Sequence, residues 1–192
     1  MKKVTILFLS AMILFLLTGC GKADTTEESK GSEESQYAQA LDILNEVIKV
    51  YSEDEMFAIY GGDQENAVMD APGKFDISKT EELKLTLGLP DELTDDIDDA
   101  ASMVHMMNAN TFTGAVYHLK GDTDKNTFAD SVKDNILATQ WICGQPDTLV
   151  IIDVDSNYVI TAYGEAEIIE TFKNHALSAL DGSQVMTETP LT

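Results

Sequence analysis

The sequence predicts an α+β domain, and three observations predict it. Between residues 37 and 180, apolar residues recur at helical spacing in three places. Between those places lie short apolar runs in pairs, each pair joined by polar turn residues, as in β-hairpins. The order after the first helix is hairpin, helix, hairpin, helix, an order that packs helices against an antiparallel sheet.

The first helix is expected over Tyr37 to Tyr51, where Ala40, Leu41, Leu44, Val47, Ile48 and Tyr51 form one apolar stripe. Met56 to Tyr60 is a short apolar piece that Gly61-Gly62 turns. Lys79 to Leu87 fits a short helix ended by Gly88 and Pro90, although Leu83, Leu85 and Leu87 also fit a strand. Ala101 to Met107 and Thr111 to Leu119 flank Asn108-Ala109-Asn110, which is hairpin chemistry. Phe128, Val132 and Ile136 mark a helix over about 124–139. Leu149 to Val154 and Tyr158 to Tyr163 flank Asp155-Ser156-Asn157 as a second hairpin. Ile168, Ile169, Phe172, Ala176 and Leu180 mark the last helix.

The two later helices align at an offset of 40, Phe128 with Ile168 and Val132 with Phe172. The expected architecture is therefore an antiparallel sheet of about four strands, built from two ββα units. Its helices pack on one face, and the N-terminal helix is added. Leu149-Val150-Ile151-Ile152 is apolar on both sides of the pleat, which predicts a central strand.

The flanks read differently. Met1-Lys2-Lys3 is followed by an apolar run from Val4 to Leu17, broken only by Thr5 and Ser10. That is the layout of a signal peptide, and the run is short for a permanent span. Leu17-Thr18-Gly19-Cys20 resembles the lipobox, where the cysteine thiol receives diacylglycerol and becomes the new N-terminus. The expectation is a signal peptide over 1–19, a lipidated Cys20, and localisation at the extracytoplasmic face of the cell membrane. More than one acyl chain is needed for stable attachment. Residues 20–36, with GKADTTEESKGSEESQ after the cysteine, hold no large apolar side chain and are expected as a disordered acidic tether. Such a tether reaches about 20–24 Å root-mean-square. The domain itself spans 37–180, and 181–192 is expected as a flexible tail.

Charge excludes one class of partner. The chain carries 34 acids against 12 bases, a net charge of −22, and every basic residue is lysine. Removal of residues 1–19 takes Lys2 and Lys3 and leaves −24. Without the arginine fork that grips phosphates and base edges, nucleic acid is not an expected partner. With Cys20 lipidated, Cys143 stands alone and no internal disulfide is expected.

The lipobox, the acidic tether, the Met106-Met107-Asn108 turn and the closing pattern of strand, polar turn, Tyr158-Val159-Ile160 and amphipathic helix resemble small clostridial, Gram-positive lipoproteins catalogued as a domain of unknown function. The resemblance covers roughly residues 80–180, and the chain departs from it at Gly144 to Asp147 and at Gly61 to Phe75. It implies an anchor in the outer leaflet of a cytoplasmic membrane. It implies no activity.

Chemical candidates are few. Asp91, Glu92, Asp95, Asp96, Asp98 and Asp99 offer oxygens to Ca²⁺ but match no calcium-loop spacing, and read as a solvated acidic run. Asp122-Thr123-Asp124-Lys125-Asn126 starts like an EF-hand loop, yet its sixth position is Thr127 and its twelfth Lys133, so a helix cap is expected instead. Met103, His105 and Met107 would share one strand face and could hold Cu(I), although core packing explains the methionines as well. His118 and His175 stand on separate elements, and Cys143 has no basic neighbour in sequence to activate it. No cofactor motif or catalytic signature occurs. The expected role is a non-catalytic binding or accessory module at the cell surface, attached to the membrane through Cys20 and meeting a protein or cell-envelope partner. The alternatives are a solute- or metal-binding lipoprotein serving a transporter and, third, an envelope hydrolase.

Overall fold

The computed structural model describes residues 35–142, 144–154 and 157–192. The expected signal peptide, Cys20, most of the tether, Cys143 and the turn residues Asp155 and Ser156 lie outside them.

Helix α1 (Ala40–Ile48) buries Ala40, Ile43, Leu44 and Val47. Its first turn has no side-chain cap of its own. The backbone N–H of Ala40 instead donates to Asp99 Oδ2 at 2.7 Å, so a carboxylate from a distant strand terminates the helix. Three short strands follow: β1 (Ile59–Gly61), β2 (Val68–Met69) and β3 (Gly73–Lys74). Helix α2 (Thr80–Leu87) ends on Gly88, whose φ of 73° is the left-handed cap that glycine takes without strain. The acidic run then splits. Asp91–Asp96 is a 3-10 helix, and Ile97 opens β4 (Ile97–His105). Strand β5 (Phe112–Leu119), helix α3 (Lys125–Ala138), strands β6 (Thr148–Asp153) and β7 (Tyr158–Gly164), helix α4 (Ala166–Ala179) and strand β8 (Gln184–Pro190) complete the order.

The hairpins and helices therefore fall where the periodicity puts them, but the sheet is larger than expected. It has eight strands, ordered β2-β1-β4-β5-β7-β6-β8, with β3 also paired to β4, and every pairing is antiparallel. Strands of two or three residues are too short to show a period of two, so β1, β2 and β3 leave no pattern in the sequence. The segment expected as a flexible tail is also corrected. Residues 184–190 pair with β6 from Thr148↔Pro190 to Asp153↔Gln184, and Leu191 is buried. An edge strand packs few of its side chains, so Gln-Val-Met-Thr-Glu-Thr-Pro has the composition of a loop. With β8 in place β6 is interior, and Leu149 to Ile152 are all buried.

The expectation of helices on one face is overturned. One core gathers Leu83 and Leu87 of α2 and Phe128, Val132 and Ile136 of α3 against Val104, Tyr117, Leu149, Ile151 and Tyr163. The other gathers Ile43, Leu44 and Val47 of α1 and Ile169, Phe172 and Ala176 of α4 against Met103, Phe112, Val116, Val150 and Ile160. Helices cover both faces because the four long strands are apolar on both sides of the pleat, not β6 alone. The two ββα units are present in order but not in symmetry. A rotation exchanging the antiparallel neighbours β5 and β7 would leave α3 and α4 on one face, whereas they lie on opposite faces.

Strands β1 and β3 lie end to end along the same edge of β4, and Gly61 meets Gly73 at the joint. A Cβ on Gly61 would lie 2.0 Å from the Gly73 nitrogen and 2.5 Å from the Ser102 carbonyl oxygen. Ser102, fully buried, accepts the Gly62 N–H on its hydroxyl at 2.9 Å. The joint fixes the start of a loop, residues 62–72, at one end of the sheet.

Candidate functional site

The candidates read from sequence disperse. Met103 is fully buried in the core under α1 and α4, while Met107 lies beyond the strand in the turn and is 83% exposed. His105 stacks on Phe57 at 5.3 Å, and its Nδ1 faces the backbone N–H groups of Met107 and Asn108. The shared strand face fails because β4 ends at His105, so the period of two does not reach Met107. The acidic run is divided among structural tasks. Asp91 pairs with Lys84, Asp98 with His118, and Asp99 with Lys74 at 3.1 Å as well as with the α1 N-terminus. Asp124 caps α3, accepting from the Thr127 N–H at 2.8 Å and its hydroxyl at 2.9 Å. Among the described residues no three His, Cys, Asp or Glu side chains converge as metal ligands.

Two clefts remain. The first, about 320 Å³, is bordered by Asp63, Asn66, Lys74, Phe75, Asp76 and Asp99 among others. Its most buried polar group is Asp63, 2% exposed, which sequence reading passed over. Asp63 Oδ1 accepts from Lys79 Nζ at 2.6 Å and from the Glu65 N–H at 3.1 Å. Oδ2 accepts from Asn66 Nδ2 at 3.0 Å and the Asp76 N–H at 3.3 Å. Burial by itself pushes this carboxyl up. The hydrogen bonds from Lys79, Asn66 and the two backbone amides outweigh burial and hold it well below the carboxylate range. The same contact holds the Lys79 ammonium above its ordinary value. The interactions of Asp63 are spent on fastening its own loop, through Glu65 and Asn66, and on tying that loop to the segment before α2, through Asp76 and Lys79.

The second cleft, about 200 Å³, opens on the α1/α4 side. Tyr51, Glu55 and Phe57, from the connection after α1, form one wall, and Glu167, Ile168 and Thr171, from the first turns of α4, form the other. His175, one turn further along α4, packs on Tyr51 with ring centroids 4.3 Å apart and the rings tilted at 50°. Phe57 is held by edge contact with Phe112 at 5.2 Å as well as by His105. Here only some of the polar groups are spent. Tyr51 Oη and His175 Nε2 are shut from solvent with no hydrogen-bond partner among the described residues. Nε2 lies 3.3 Å from Glu55 Oε2, within ion-pair range but misaligned for a hydrogen bond. Burial, then the Glu55 charge, push the Tyr51 phenol up, so it stays protonated at neutral pH. Hydrogen bonds from the Ser52 hydroxyl and N–H, with a smaller contribution from His175, hold the Glu55 carboxyl down and ionised. Glu167 forms no ion pair among the described residues.

No single motif announces this cleft. Its walls come from distant parts of the chain, and in sequence Tyr51 reads as helix end and His175 as a solitary imidazole. No protein-family model, curated protein or solved structure matches this chain.

Proposed function

We propose that the chain is a lipid-anchored, extracytoplasmic binding module, held to the cell membrane through Cys20 and without catalytic activity of its own. The observation that carries the binding reading is the Tyr51–His175 cleft. Among the described residues it keeps one buried phenol hydroxyl without a hydrogen-bond partner and one carboxylate without an ion pair, and such groups gain most from a ligand. Its hydroxyls are poor nucleophiles: the phenol is held protonated, and the Thr171 hydroxyl is engaged with the Glu167 carbonyl at 3.0 Å. The address rests on the order of charge, apolar run, small residues and cysteine over Met1 to Cys20. The resemblance of residues 80–180 to small clostridial lipoproteins supports the same address. The size of the cleft also supports the second reading, a small-solute receptor serving a transporter.

Fractionation of cells carrying Cys20→Ser tests the address. The expected result is loss of the protein from the membrane after signal-peptide cleavage is bypassed, or retention with the first 19 residues uncut. Membrane attachment and processing identical to the parent chain would overturn it.

A further inference from the structure

We infer that the Tyr51–His175 cleft binds a small organic cation with an alkylammonium head; this rests on the binding-module reading above. Both charged side chains on its walls are carboxylates, Glu55 and Glu167, and no lysine borders it. Glu55 is held ionised by Ser52, and Glu167 has no competing cation among the described residues. The remaining walls are Tyr51, Phe57, Ile168 and Thr171. An aromatic face attracts a cation through its quadrupole, and an apolar wall accepts the carbon body of the ligand. A hydrated inorganic ion fits poorly. Ca²⁺ wants six to eight oxygens, and no convergent set of three metal-ligating side chains exists among the described residues. The volume, about 200 Å³, is below the range of drug-sized pockets and suits a head group of a few heavy atoms. The chain's net charge of −22 adds a long-range field that draws cations toward the cleft and repels anions.

The test is calorimetric titration of the full chain, in alkyl maltoside micelles that carry no ammonium group. Choline is the probe, and 3,3-dimethylbutan-1-ol, its uncharged shape analogue, is the control. The expected result is saturable choline binding at millimolar or lower concentration, with the neutral analogue weaker by about tenfold or more. Glu167→Gln, at an exposed position, should weaken choline about fivefold with unchanged circular dichroism, and Phe57→Leu should weaken choline more than the alcohol. In nuclear magnetic resonance, choline should shift the His175 ring signals and leave those of His118 in place. Equal affinity for the alcohol would overturn the cationic class while leaving a binding cleft standing. Absence of choline binding up to about 10 mM would overturn the inference outright. Neither result bears on the anchor, which the Cys20→Ser fractionation decides separately.

Discussion

Asp63 and Glu167 are both carboxylates that border clefts, and they stand in opposite circumstances. Asp63 is almost wholly buried, yet it accepts from a lysine, an asparagine and backbone amides, so that its charge is fully answered by protein. Glu167 is exposed and forms no ion pair among the described residues, beside a phenol whose buried hydroxyl has no hydrogen-bond partner among them. Depth alone would select Asp63 as the functional acid. The state of the partners selects the other cleft, because a satisfied buried charge is already committed to holding the chain together.

This contrast can be broken by mutation. The largest effect is expected at Asp63→Ala, which leaves Lys79 with only the exposed Glu65 carboxylate and the loop amides without an acceptor. Urea denaturation should show a loss of about 3–5 kcal/mol, the range for breaking one side of a buried ion pair. The acid limb carries the same signature. Because the native carboxyl is held below its ordinary 3.8, its stabilisation is complete above that pH. It is lost as the pH falls from there through the native value. Asp63→Asn should flatten that part of the stability curve, and an unchanged acid limb would remove Asp63 from the account.

Gly61→Ala comes next. The added methyl meets backbone of Gly73, which cannot rotate away, so about 2–3 kcal/mol of destabilisation is expected from thermal melting. The smallest effect is expected at Tyr51→Phe, which deletes a buried hydroxyl that has no partner. Stability should stay level or rise by up to about 1 kcal/mol. A clear loss in the same melting experiment would mean that the hydroxyl is satisfied, and the two clefts would no longer differ in kind.

The long elements were legible from sequence because each carries enough residues to display its period. Ala40 to Val47 and Phe128 to Ile136 show helical stripes, and Asn108-Ala109-Asn110 marks a turn between apolar runs. What escaped follows from physical limits. Strands β1, β2 and β3 are too short for alternation, and β8 is an edge whose side chains remain largely in solvent. The second covered face was visible only in part, since Ala100 to Val104 and Phe112 to Tyr117 mix small and polar residues with apolar ones. Their complete burial comes from neighbouring strands rather than from their own pattern. The capping role of Asp124 was legible because it is local. The tasks of Asp63 and Asp99 were not, since Lys79 and Ala40 reach them through the fold.

The position of β8 has a consequence for aggregation. Its detachment would uncover one row of amides and carbonyls along β6. A chain in that state would present an adhesive flank, a form prone to pair with its own copies. Residues 184–190 thus act as a cover, and how firmly they hold sets how rarely the sheet becomes sticky.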